Sequence, residues 1–457
     1  MEEKGKKLKA GNIVGLGLGA IGSGIFVMMG FGIAYTGRSI VLVCMVGCLY
    51  MLLAYLYNVV MSSMFVIKGG DYGQKALLFN PMLTGVSAIM TFISGLSLAS
   101  YALAIVDYFG AIVPGVLPFT KPLAILIMTL FFAATICGSR FVAVLENVLT
   151  VVLLASVAIF VTLGIPKVQP GFFSNADGGF WRDGIGGFMA AISIMGFACM
   201  GTTGAPVAMS AVTENPKRNI PLGILLATLI MAVIYGLMGY VAGGVLPYEQ
   251  IAGANLSATA EAIFPHTLYN LFILGGGVGA ICTSVLAAIA TLRYPLMQVA
   301  QDGWLPKAFT KTTKTGYPWV IQLTFYLVSV VPIALGFSID ALVSFTMIPT
   351  MLMNVYLNLA CITLPKKYPE QWAKASIKLP KGLYTVICAA GAVCALLVGV
   401  TLFLQLDTAS MIGIVVVITF MLGFAAFRLK SGAVSEEMLQ KNRNAILTAA
   451  LNDDDQS

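Results

Sequence analysis

GLGLGAIGSGIFVMMG, residues 15–30, is apolar enough to enter a membrane, yet it carries six glycines, at positions 15, 17, 19, 22, 24 and 30, with Ser23 between two of them. Glycine costs a helix interior about 1 kcal/mol relative to alanine, so a segment that only had to span lipid would have no use for so many. The pattern predicts a membrane helix interrupted part-way, where bare backbone faces a cavity. A second stretch repeats it: SIMGFACMGTTGAPVAMS, residues 193–210, is apolar and broken by Gly196, Gly201, Gly204 and Pro206. Irregular backbone at membrane depth is tolerated where it lines a cavity, and two such segments in corresponding halves of a chain point to a transporter binding site.

Working outward, 59% of the 457 residues are hydrophobic and only 10% charged, whereas soluble domains carry about 25% charged residues. A polytopic membrane protein follows, with no room for a soluble catalytic domain. Twelve segments are long enough to cross the hydrocarbon core: 13–35, 40–66, 82–112, 122–139, 142–165, 185–209, 221–246, 269–292, 319–337, 341–364, 383–405 and 410–428. With the N-terminus inside, all of the 26 Lys and Arg residues except Arg38, Lys121, Lys167 and Arg182 fall on the cytoplasmic side, as the positive-inside rule requires. Both termini are therefore expected in the cytoplasm. The net charge of +7 reflects this topology, and no nucleic-acid partner is expected.

The basic start, MEEKGKKLKAGN, lacks a clear cleavage site and reads as a cytoplasmic tail. At the other end, Ser435 with Glu436 and Glu437 marks the start of a short amphipathic helix, expected to lie on the membrane surface. The eight cysteines fall in apolar stretches without CxxC spacing, and Cys44 and Cys48 read as packing residues. His266 is the only histidine, so neither a hydrolytic triad nor an intramembrane metal enzyme is expected.

Four segments carry a family resemblance. GAIGSGIF (19–26), MFVIKGGDYGQKA (64–76), ENPKRNIPLGI (214–224) and AQDGWLPKAFTK (300–311) resemble, in order, signature segments of the amino acid-polyamine-organocation superfamily, in particular bacterial amino acid permeases. The resemblance implies the leucine-transporter fold, all-α with twelve transmembrane helices. Residues 13–165 and 185–364 would form inverted five-helix repeats, followed by two helices at 383–428, with cytoplasmic tails at 1–12 and 429–457. It places the substrate at Ala20, Ile21, Gly22, Ser23 and Gly24 of the first helix and at Ala198, Cys199, Met200, Gly201 and Thr202 of the sixth. The substrate carboxylate would meet amides near Ser23 and Gly24, and its amino group would meet carbonyls near Ala20 and Gly201. Thr283 and Ser284 resemble the hydroxyl pair that holds sodium in sodium-driven members.

The chain also departs from the pattern. Ala211 and Val212 replace a frequent acidic pair, Leu153 stands where some members carry a lysine, and Ala198 or Cys199 replaces the usual gating aromatic, with Phe197 adjacent. Within the spans the acids are Glu146 and Asp107, both near helix ends. A cationic cargo would want a carboxylate in a dry site. The expected cargo is therefore a small neutral amino acid, moved across the plasma membrane by alternating access, with Ser97, Ser100, Thr202 and Thr203 as candidate pocket hydroxyls. The alternative is an organic amine, a polyamine or another small organic ion on the same fold. No cofactor is expected beyond a coupling Na+ or H+.

Overall fold

A computed structural model describes residues 8–452 apart from 20, 68–69, 137–138, 314–315 and 435. It is all-α: among the described residues the only β pairing is an isolated parallel bridge between Leu8 and Thr213. This is what a lipid environment imposes, since helices satisfy their backbone groups internally.

The first span comprises α1 (Ala10–Gly19) and α2 (Ile21–Thr36), on either side of Ala20, which lies outside the described residues. A single 3-10 turn, Gly37–Ser39, joins α2 to α3 (Ile40–Ala54), and α4 (Leu56–Met64) completes the second span after a kink at Tyr55. The short helix α5 (Gly70–Leu78) then lies between spans. The third span is α6 (Pro81–Ile93) and α7 (Leu96–Ile112), followed by α8 (Thr120–Ile136) and α9 (Ser139–Gly164). The sixth span is again divided, into α10 (Gly184–Cys199) and α11 (Gly201–Ala208), and α12 (Pro216–Gly244) follows it.

Three short helices, α13 (Tyr248–Ile251), α14 (Ser257–Ile263) and α15 (His266–Leu271), lead through a π-helical stretch, Phe272–Val278, into α16 (Gly279–Gln301). Then come α17 (Trp319–Leu335), α18 (Ile339–Cys361), the short α19 (Leu364–Lys367) and α20 (Pro369–Ala373), α21 (Lys381–Leu404), α22 (Thr408–Lys430) and α23 (Glu436–Asn452).

Ten helical stretches among the described residues are long and apolar enough to cross a membrane, against the twelve expected segments. The turn at Gly37–Ser39 makes Gly24–Ala54 one continuous run, and Trp319–Leu335 has only 17 residues. The core lies where α2 packs on α10, α3 on α12 and α18 on α21. By contrast α8 and α22 sit at the periphery, with Leu130 60% and Phe420 59% exposed, as lipid-facing helices require.

The face that carries residue 8, α5 and α23 is called here the terminal face, and the one that carries α13 and α14 the far face. The C-terminal helix docks on the end of α5. Arg443 of α23 donates to the carbonyls of Ala76 (2.7 Å) and Phe79 at the end of α5. A helix C-terminus leaves its last carbonyls without intrahelical partners, and the cation satisfies them.

Candidate substrate-binding site

Ala20, the expected centre of the first interruption, lies outside the described residues. Ile21, Gly22, Ser23 and Gly24 are helical, in the part of α2 next to Ala20. In the sixth span, Ala198 and Cys199 end α10, Gly201 and Thr202 begin α11, and Met200 alone lies between. This interruption is shorter than the five-residue stretch expected. Met200 keeps its N–H bonded to the Gly196 carbonyl at 3.0 Å, so the helix is offset at one residue rather than unwound over several.

The first span meets the sixth beside its interruption. A Cβ on Gly24 would overlap the Ala198 backbone, with the Ala198 Cβ 2.8 Å away, so only glycine lets α2 and α10 approach this closely. Lower in the first span, a Cβ on Gly17 would lie 2.7 Å from the Ala227 Cβ and 3.6 Å from the Thr202 carbonyl oxygen. Thr202 shares a 2.8 Å hydroxyl contact with Thr228, and the Tyr55 hydroxyl donates to Met200 Sδ at 3.1 Å. Cys199 is buried as a free thiol, with Gly47 against its Sγ, so it acts in packing.

The candidate pocket hydroxyls are turned back onto their own helices. Ser97 donates to the Ser94 carbonyl (2.6 Å), Ser100 to Ser97 (2.7 Å) and Thr203 to Met200 (3.1 Å). Thr283 and Ser284 both donate to the Ala280 carbonyl, at 2.7 and 3.4 Å, the local pattern such residues adopt in apolar helices. Phe197 is buried and packs on Tyr101 of α7, with ring centroids 5.6 Å apart. Of the two acids within the spans, Asp107 accepts a 2.5 Å hydrogen bond from Asn255, and the side chain of Glu146 lies outside the described residues.

Sequence reasoning missed the contacts that join the helices at the two faces. On the far face three carbonyls along one stripe of α2 act as acceptors: Phe26 from the Tyr108 hydroxyl (2.9 Å), Gly30 from the Gly253 N–H (2.9 Å) and Ala34 from the Tyr248 hydroxyl (2.7 Å). Tyr108 also accepts from the Leu256 N–H at 3.2 Å. Beneath them Phe26 packs on Tyr108 and Phe272, and Phe272 stacks on Phe160 at 5.1 Å. Phe272 opens the π-helical stretch, whose glycine run, 275–277, is the signal in the sequence that could have marked it; π segments recur at functional sites.

On the terminal face the resemblance segments contact one another. Tyr72 donates to Asp302 at 2.7 Å, and Gln298 donates to the other oxygen of the same carboxylate at 2.7 Å. Burial first, then the Asp302 charge, push the Tyr72 hydroxyl well above its ordinary pKa, so it remains a donor. Tyr57 donates to Asp71 (2.8 Å), which pairs with Lys75 at 2.5 Å. Ser210 receives the Ile67 N–H at 3.0 Å, and Asn215 takes a left-handed conformation (φ 43°) at the start of α12. Two of the four segments, 64–76 and 300–311, therefore touch one another directly, through Tyr72 and Asp302.

A family model described as amino acid permease matches residues 10–427. The chain belongs to the amino acid permease family. Among its relatives, the methylthioribose transporter of Bacillus subtilis is 26% identical over 410 residues, covering 84% of this chain and 86% of the relative. A branched-chain amino acid permease of the same organism is 24% identical over 396 residues, covering 80% and 82%. A putrescine transporter of Escherichia coli is 29% identical over 157 residues, a third of each chain. The permease family is one of multi-pass membrane transporters, and the small-molecule substrate and bilayer embedding follow from membership.

Proposed function

We propose that this permease moves small neutral amino acids across the plasma membrane by alternating access, with both termini in the cytoplasm. The supporting observation is the close approach of α2 to α10 at Gly24 and Ala198, next to the interruption at Met200 and with no charged side chain placed there among the described residues. Amides near Ser23 and Gly24 would meet a carboxylate, and carbonyls near Ala20 and Gly201 an ammonium group. An uncharged lining suits a neutral side chain, because an unpaired buried charge is expensive. Thr283 and Ser284 keep oxygen lone pairs free while donating to Ala280, which suits sodium; a proton is the alternative coupling ion.

A neutral cargo that is not an amino acid is the second reading, favoured by a methylthioribose transporter covering most of the chain. An organic amine, the cargo in the printed name of the putrescine relative, would need a carboxylate in the lining. Counterflow of labelled amino acids, amines and thioether sugars into proteoliposomes, with and without sodium and at two internal pH values, tests all three. Uptake of alanine, serine or threonine is the expected result. Uptake of an amine or a sugar alone would overturn the cargo assignment.

A further inference from the structure

The far face holds a cavity of about 270 Å³ that lies away from the α2–α10 contact, and Arg38, Asp177, Arg182, Tyr248 and Glu249 are among the residues lining it. Its two arginines are half of the four cations that the charge asymmetry leaves outside. Arg38 spends one terminal nitrogen on the Ser174 carbonyl (2.7 Å) and on Asp177 (2.5 Å), while its Nε is buried without a hydrogen-bond partner. The Arg182 guanidinium lies 3.5 Å over the centroid of the Tyr248 ring, an arrangement that orients it but satisfies none of its N–H donors. Glu249 makes no hydrogen bond or ion pair among the described residues, although it lines the same cavity.

Two arginines and two acids give the lining no net charge, so it selects a ligand that carries both signs. Arginine forks match phosphate, and a free carboxylate matches a primary ammonium. Beside the cavity Phe172 and Phe173 pack on Tyr240, at 4.6 and 5.8 Å, and Phe180 packs on Trp181 at 5.7 Å. Phe173 is 65% and Trp181 38% exposed. Exposed aromatic side chains at the end of membrane helices belong at headgroup depth.

We propose that this cavity binds the headgroup of an ethanolamine phospholipid, its phosphate on Arg182 and the Arg38 Nε and its ammonium on Glu249, with the acyl chains along Phe173 and Trp181. The assignment does not rest on which cargo the permease carries. A free zwitterion such as an amino acid shares this chemistry but has no use for the aromatic shelf.

The test is native mass spectrometry of the full-length protein in detergent with an equimolar mixture of phosphatylethanolamine-type, phosphatidylglycerol and phosphatidylcholine lipids. Preferential retention of the ethanolamine lipid is expected, falling about tenfold in Arg182→Gln and in Glu249→Gln, both monitored for folding by size-exclusion profile. Arg182→Lys keeps the charge without the fork and should fall between. Equal retention of all three lipids, or retention unaffected by either glutamine variant, would overturn the proposal. Competition by glycerophosphoethanolamine or by alanine at concentrations where the intact lipid is no better would overturn the lipid as the source.

Discussion

The two closures of the pathway are built from different chemistry. On the far face, neutral donors from Tyr108, Gly253 and Tyr248 reach three carbonyls along one stripe of α2. On the terminal face, the seal runs through ionised groups: Asp302 between Tyr72 and Gln298, Asp71 between Tyr57 and Lys75, and Arg428 and Arg443 on backbone carbonyls. Neutral hydrogen bonds contribute a net ~0.5–1.5 kcal/mol each, and those to charged groups ~1.5–3 kcal/mol. Along the α2 stripe the contacts are neutral, whereas the terminal face draws on charged groups, so loss of a charge should be felt more there; the charged contacts of the far face, Asn255 on Asp107 and Lys167 on the Ala262 and Ile263 carbonyls, lie off that stripe.

The largest effects come from glycines at which no side chain fits. Gly24→Val should abolish substrate binding without preventing membrane insertion, because the new side chain would have to occupy the Ala198 backbone; binding measured in detergent checks it, and retained affinity would remove the first-span site. Gly30→Ala should act differently. A Cβ there would overlap the Ala254 carbonyl, so the segment after α13 could not seat on α2. Binding should survive while counterflow falls at least about tenfold, equivalent to ~1.4 kcal/mol. If the two variants lose the same kinetic parameter, the separation of site from seal fails.

Removing hydroxyls sharpens the contrast between the faces. Tyr72→Phe deletes a charge-assisted bond to Asp302 and should shift the closed-to-open equilibrium of the terminal face by about 10- to 100-fold, read as faster amide exchange in α5. Tyr108→Phe deletes two neutral bonds, to Phe26 and Leu256, and should act on the far face with a smaller shift per bond. Faster exchange at the wrong face for either variant would break the comparison.

The smallest effect concerns pH. The Gly179 N–H first, and then the Arg38 guanidinium, hold the Asp177 carboxyl below the usual carboxylate range. A lowered folded-state pKa contributes stability that is present above the unfolded value of about 3.9 and is lost as pH falls through the folded value. The melting-temperature difference between the protein and Asp177→Asn should therefore stay constant from pH 7 to about 5 and vanish only below about 4. Asp177 is exposed on its loop, so that difference should be small.

Much of the helical frame was legible because span length and glycine interruptions are local signals. The break at Met200 falls inside the stretch read from Ala198 to Thr202, whereas Ala20, the centre of the first expected interruption, lies outside the described residues. The seals were not legible in the same way. Tyr108 meets Leu256 across 148 residues and Tyr72 meets Asp302 across 230, so neither pair leaves a periodic trace. Phe26 and Phe272 look like any other lipid-compatible residues until they are seen packed together, with Phe272 stacked on Phe160. Asp302 and Tyr72 stood in quoted segments, yet one sequence without geometry could not say that those segments touch. The contact of the C-terminal helix with α5 was not legible for a related reason: an amphipathic pattern does not say which partner its residues meet.

The docking of α23 on α5 has a consequence for biosynthesis. Between Ala76 and the arginine that caps its carbonyl, the ribosome adds 367 residues, which at about 5–20 residues per second takes roughly 20–70 s. Lys367 and Tyr368, which reach the Leu77 carbonyl from the loop after α18, emerge earlier in that interval but still long after α5. Until Arg443 arrives, the Ala76 and Phe79 carbonyls lack its guanidinium. The latch of α23 on α5 is thus among the last contacts of this face to form, and a ribosome that stalls before Arg443 leaves the end of α5 without it.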